Sequence, residues 1–573
     1  MRAELLATRS TAGYDPIMRR DSDPFVARRV RLVVVSFALA LPGCPAGADA
    51  EGTSFGTGGS SGPEPTSGTG SSTSIDPTAT GGGTTGVVDS SGDSFPGTPD
   101  LPPDTGDLPP DPIPETCAQA EQVASSMGCE FFAVELDNFG SSGSFAIATA
   151  NVQTDTVADV LVEIYDGAAW TPVVPAQQVA PMDAFVFVVG GAEIVGSGIG
   201  AHAAYRVTSS VPIAAYQFNS YSAIATSDAS LLLPTSAWDT LHRVASLERV
   251  DNDPFVWTSY FAVITATPNT ALEIVTTDAW LAGPGVPAAL AGDTVMLQAD
   301  VADVVQVAVS TNGTHDPTGT RIDSGDVPVA VFGGTSCSII LDQGTFGACD
   351  HLEEQLPGVR LWGQTFVAAR APVRSLSPTA EASLWQIVAS EDGTTVAFEA
   401  DAAVTGVPAG PLALDAGEQA RFLVSGPTAT PGDFVVQADK PILVLNYTLS
   451  GDELFDEFGN DSPGDPAMLI LPPVEQYLPR YVVLVPSGWD TDVMTIVRLA
   501  GVEVRLDEQP LDDALFYAVG ATHEVARVPV TDGVHRVDAD DRVAITVVGY
   551  RADDSYGYAG GIGTSPINPR PAG

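Results

Sequence analysis

The side chains best able to do chemistry in this sequence are six histidines, five cysteines and seven tryptophans, set among 72 acidic residues. The histidines are His202, His242, His315, His351, His523 and His535, and no two have a spacing that would place a pair of imidazoles on one metal ion. His351 lies in Cys349-Asp350-His351-Leu352-Glu353-Glu354, beside three carboxylates. Such a group can do acid–base or metal chemistry in a cleft, or make a structural hydrogen bond next to a disulfide; the structural role is expected. Glu353 and Glu354 are chain neighbours, so on a strand they would point to opposite faces and would not act as a pair. The acidic stretch 451–468 offers Asp452, Glu453, Asp456, Asp461 and Asp465 to Ca2+. Its spacing fits neither an EF-hand loop nor a glycine-rich nonapeptide repeat, so a solvated loop is expected and no cofactor is assigned. Gly-x-Ser-x-Gly occurs at 52–56 and 58–62, both in low-complexity sequence where a strand-to-helix elbow cannot form. Trp170, Trp238, Trp257, Trp280, Trp362, Trp385 and Trp489 could stack on sugars, but their scatter reads as core or interface.

The elements that carry these residues begin with an export signal. Arg28, Arg29 and Arg31 precede an apolar run, Leu32–Leu41, which is shorter than the ~20 residues a bilayer span needs and suits a signal peptide. The run ends in Leu41-Pro42-Gly43-Cys44, which resembles a bacterial lipobox and marks Cys44 as the lipidated residue of residues 1–44, with Met18 as an alternative start. Residues 45–116 are Gly, Ser, Thr, Pro and acid without one basic residue, and are expected to form a disordered, self-repelling tether. The formal charge of −48, with Lys440 the single lysine, excludes nucleic-acid binding through a cationic face. It also leaves the lipid anchor as the means of membrane attachment. Once Cys44 is set aside, Cys117, Cys129, Cys337 and Cys349 remain. Three pairings are formally open, and Cys117 with Cys129 and Cys337 with Cys349 are expected in an exported chain.

From Cys117 onward the chain reads as short β-branched strands between Gly, Pro, Asn and Asp, with a helix expected only over 116–127. The stretches 209–221, 324–336 and 437–449 each read as a polar turn, a proline (Pro212, Pro328, Pro441) and an apolar strand. Each is followed by a second proline landmark, at Pro234, Pro357 and Pro472. The expected fold is all-β: tandem β-sandwich-like repeats of about 115 residues, with a β-propeller-like arrangement as the alternative. The modules are placed at 117–247, 248–370 and 371–480, with a partial fourth and C-terminal tail at 481–573.

Residues 328–369 resemble the hallmark segment of the IgGFc-binding protein N-terminal family. The matching positions are Pro328, Val329, Gly334, Cys337, Cys349, Asp350, His351, Glu354, Gln355, Leu356, Pro357, Trp362 and Gly363. Flanking similarity at 231–238, 261–274 and 464–477 extends the resemblance over residues 200–550. It implies a non-enzymatic, β-rich binding module, in which Asp350, His351, Glu354, Gln355, Pro357, Trp362 and Gly363 are structural motif residues. Gly464-Asp465-Pro466-Ala467 lacks the histidine of the Gly-Asp-Pro-His self-cleavage site, so autoproteolysis is not expected. The expected protein is a lipoprotein at the outer membrane or cell surface, displaying β-modules for adhesion to an extracellular protein or glycan. Two other readings stand beside it: a secreted polysaccharide-active enzyme, and a self-assembling envelope or matrix component.

Overall fold

The computed structural model describes residues 113–139, 145–221, 226–248, 257–309, 315–340, 349–374, 379–451 and 463–568. The leader with Cys44, the tether up to residue 112 and most of the acidic stretch, 452–462, lie outside the described residues. The described chain is all-β, built of curled antiparallel sheets that pack face to face in a sandwich-like manner.

Four sheet systems follow one another along the chain. The first runs from Gly128–Ala133 to Asp228–Leu232, the second from Leu241–Arg243 to Asp350–Leu356, the third from Gly363–Ala368 to Met468–Ile470, and the fourth from Leu478–Val485 to Asp554–Ala559. In the first, third and fourth, one long strand organises the sheet: Tyr205–Asn219, Phe434–Tyr447 and Gly533–Arg551. In the second the corresponding strand is broken into Arg321–Asp323 and Val329–Ser338, so that system splits into a four-stranded and a five-stranded sheet.

The long strands bend at a repeated irregularity. Gly128 pairs with Ile213 but Glu130 with Thr208; Gly363 pairs with Ile442 but Thr365 with Gln437; Leu478 pairs with Val543 but Arg480 with Asp538. Pro212 and Pro441, which have no N–H for the ladder, fall in the skipped stretches. The expected polar turn before each proline therefore needs correcting. In the first and third sheets it is the bent middle of one strand. Only in the second is it a turn, closed by Val327 N–H donating to the Ser324 carbonyl at 3.3 Å.

The expected helix over 116–127 also shrinks, to Cys117–Ala120, held by a capping box between Thr116 and Gln119. The following residues are drawn into the sheets instead. Ser125 bridges Gly563, and Ser126 N–H donates to the Ile562 carbonyl at 3.0 Å.

Each main buried cluster draws on neighbouring sheets. Phe131 and Ile147 of the first pack with Tyr260 and Phe332 of the second. Phe261 and Val331 of the second meet Val388 and Leu445 of the third. Val435 of the third meets Val497 and Val525 of the fourth. Tyr216 and Phe218 of the first then meet Tyr556 and Tyr558 of the fourth, with the Tyr216 and Tyr558 rings 4.7 Å apart. The four sheets thus form a closed circuit, and its first and last sheets are neighbours.

Candidate functional site

Each sheet contributes one inner strand to the middle of the circuit: Asp228–Leu232, Asp350–Leu356, Met468–Ile470 and Asp554–Ala559. Each pairs on one side with its own long strand or that strand's counterpart. All four are buried along their whole length. A strand covered on both faces should be apolar throughout, yet these carry Asp228, Ser230, Asp350, His351, Glu353, Glu354, Gln355 and Asp554 in full burial. Most of these polar groups reach a neighbouring sheet.

The bonds are specific. Asp228 Oδ2 accepts from Glu353 N–H at 3.2 Å and from Met468 N–H at 3.0 Å, so one carboxyl joins three sheets. Glu354 accepts from Ser230 Oγ at 3.0 Å and Ile470 N–H at 3.3 Å, and Gln355 Oε1 accepts from Leu233 N–H at 2.7 Å. Glu353 accepts from Gln217 Nε2 at 3.1 Å. Asp554 accepts from Ser227 N–H at 3.0 Å and from Arg551 Nε at 2.9 Å.

Burial governs the proton equilibria here. It pushes Asp228, Asp350, Glu353 and Glu354 well above the usual carboxylate range, and repulsion from neighbouring carboxyls adds to the effect at Asp350, Glu353 and Glu354. Burial raises Asp554 to about 6, even against the pull of Arg551. His351, fully buried, is held down to about 3, so it is a neutral imidazole. Its Nε2 lies 3.4 Å from both Asn219 Nδ2 and Glu353 Oε2.

The motif residues after the inner strand of the second sheet complete a repeated corner. Trp362 Nε1 donates to the Pro357 carbonyl at 3.0 Å, as Trp238 Nε1 does to Leu233 at 3.2 Å. Gly363 begins the third sheet where a Cβ would come 2.3 Å from Pro473 Cβ; Gly128 stands likewise 2.4 Å from Pro234 Cβ. Both disulfides are formed, Cys117–Cys129 and Cys337–Cys349. The second closes the hairpin that presents Asp350.

Other sequence candidates disperse. Trp238, Trp257, Trp280, Trp362 and Trp385 are buried, while Trp170 and Trp489 are partly covered, under Arg206 and Arg551. Among the described residues, no three His, Cys, Asp or Glu side chains are grouped as the ligands of one metal ion. The exposed apolar side chains, which sequence reasoning did not single out, include Val188 on the outer strand Ala184–Val189 of the first sheet. Met296 occupies the corresponding edge of the second, on Thr294–Ala299, and Val195 and Leu290 lie in adjoining segments.

A sandwich-like all-β protein whose polar centre is sealed and whose loops and edges face outward belongs to the class of β-rich scaffolds. Residues 228–549 match the family model described as IgGFc binding protein, more than half of the chain, and the protein belongs to this family. No curated protein and no solved structure matches it.

Proposed function

We propose that this chain is an extracytoplasmic binding module, displayed at the bacterial surface by a lipid on Cys44 and a long acidic tether, that recognises an extracellular protein or glycan without catalysing a reaction. The observation that carries this reading is the family match over 228–549. Fold by itself would not, because a β scaffold serves many functions. Two disulfides suit an oxidising compartment. No helix among the described residues is long and apolar enough to cross a membrane. The buried Glu353 and Glu354 are committed to Gln217, Ser230 and Ile470, which supports binding over polysaccharide cleavage by that pair. The ligand would meet the outward loops and the sheet edges that carry Val188 and Met296.

The full chain, arrayed against extracellular proteins (immunoglobulin Fc among them) and glycans, is expected to bind a protein or glycan saturably. Turnover of a polysaccharide, or no binding alongside concentration-dependent self-assembly, would overturn the reading. Anchoring is tested separately. Inhibiting lipoprotein signal peptidase, or Cys44→Ser, should shift the mobility of the chain and release it from membranes; unchanged attachment would remove the lipid anchor.

A further inference from the structure

One turn at the edge of the fourth sheet is held against its own backbone preference. Strands Val504–Leu506 and Gln509–Pro510 form a hairpin there, joined by Asp507 and Glu508. Both joining residues are left-handed, with φ of 50° and 66°. A two-residue hairpin turn of this hand favours Asn-Gly or Asp-Gly, so a glutamate in the second place stores strain. Asp507 pins the turn to the long strand Gly533–Arg551. Its N–H donates to the Arg536 carbonyl at 2.8 Å, its Oδ1 accepts from Arg536 N–H at 2.9 Å, and its Oδ2 lies 2.7 Å from His535 Nδ1.

His535 is buried and engaged on both sides. Its Nε2 lies 2.6 Å from the carbonyl oxygen of Thr531, in the loop that leads into its strand. A carboxylate and a carbonyl only accept, so both ring nitrogens must donate, and the ring that fits is the charged imidazolium. A neutral ring would turn a lone pair toward one of the two oxygens. Burial disfavours the charge, but the bonds to Asp507 and Thr531 outweigh it and hold the histidine above its ordinary value. The other charges nearby are engaged with one another or exposed. On the facing strand Leu478–Val485, Val483 stands opposite His535, and Arg480 pairs with Asp538. On Val504–Leu506, Arg505 pairs with Glu503 and Asp540. On the strand of His535 itself, Arg536 pairs with Asp538, while Glu508 and Asp532 are exposed in the two turns.

We propose that His535 is a pH-operated latch: as an imidazolium it ties the strained Asp507-Glu508 turn to the Thr531 loop, and when it loses its proton the edge hairpin opens. A histidine held above its unfolded value of about 6.5 gives its full stabilisation below that pH, and loses it as pH rises through the folded value. The hairpin is therefore shut in acid and released in alkali. The opening stays local, because residues Asp507, Glu508, Gln509 and Pro510 are exposed and Gln509–Pro510 is the outermost strand of its sheet. Release changes the outer surface at this edge, whatever ligand the protein takes.

Hydrogen–deuterium exchange of the full chain, corrected for the pH dependence of intrinsic exchange, reads the latch at residues 504–511. Between pH 6 and pH 9 protection there should fall by about tenfold, and by more than in the neighbouring strands Thr491–Leu499 and His523–Pro529. His535→Gln should show the open level already at pH 6, with no further pH response. Asp507→Asn, at an exposed turn position, gives the same reading should His535→Gln not fold. Glu508→Gly, which relieves the left-handed strain and leaves the latch in place, should keep the hairpin protected at pH 9. Equal wild-type protection at both pH values overturns the proposal. A pH response kept in His535→Gln or Asp507→Asn overturns it by assigning the titration to another group. Release of Glu508→Gly at pH 9 to the wild-type extent overturns it by removing strain as the force that opens the hairpin.

Discussion

Asp228 shows how one side chain can organise a whole protein. Its carboxyl accepts from the backbone of Ala229, Glu353 and Met468, so it ties its own strand to two other sheets. Asp228→Ala would leave three buried N–H groups without an acceptor, each costing about 1–3 kcal/mol. A loss of 3 kcal/mol or more, roughly, is expected in urea melts, with Asp228→Asn losing less because it keeps one acceptor. A loss below about 1 kcal/mol for the alanine variant would show that the bonds are dispensable. The same carboxyls set a pH dependence. Their folded pKa values are raised, so the stability they contribute is full below the unfolded value of about 4 and falls as pH rises. For Asp554, raised to about 6, the loss falls between roughly pH 4 and 6, and Asp228, Asp350, Glu353 and Glu354 extend it upward. His351, held down to about 3, acts oppositely and removes stability as pH falls below ~6.5. Thermal melts from pH 4 to 9 should therefore show decreasing Tm toward the alkaline end; a flat profile would count against buried protonated carboxyls.

At the scale of the element, the repeated corner is the informative unit. Gly128 and Gly363 each start a sheet hard against a proline of the corner that follows that sheet's last strand, Pro234 and Pro473. Gly363→Ala would drive a methyl group into Pro473 and Glu475, for a cost of about 1–3 kcal/mol, and Gly128→Ala should cost a similar amount. Unequal effects, with one variant neutral, would show that the two corners are not equivalent. The hairpin that carries Asp350 is braced by Cys337–Cys349, whose 12-residue separation limits the stabilisation to about 3 kcal/mol. Cys337→Ser with Cys349→Ser should lower the urea midpoint accordingly. The proline landmarks at Pro212 and Pro441 were legible as repeats, but their geometry was not. A proline before an apolar run reads locally as a turn, whereas the register shift that makes it a bend depends on a strand some 80 residues away.

The whole molecule is a circuit in which neighbouring sheets share their apolar faces. Tyr216 and Phe218 of the first sheet are covered by Tyr556 and Tyr558 of the last. Deleting residues 552–573 should uncover this cluster and destabilise the first and fourth sheets together, seen as lost near-UV dichroism and faster amide exchange in both. Protection retained in the first sheet would show that it stands without the closure. The first sheet expressed alone, residues 113–238, is expected not to fold cooperatively, because faces buried by other sheets would meet water.

Composition and patterning settled the all-β class, the two disulfides and the family membership, because strand alternation, cysteine spacing and the 328–369 motif are local properties. They did not reveal that Asp228, Asp350 and Asp554 stand together, since these residues lie on three different sheets and a carboxylate looks the same in sequence whether solvated or buried. Closure of the circuit, which brings Ser126 to Ile562, decides that burial. Local sequence specifies each strand, but the dielectric around a charged side chain is set by whatever the rest of the chain packs against it.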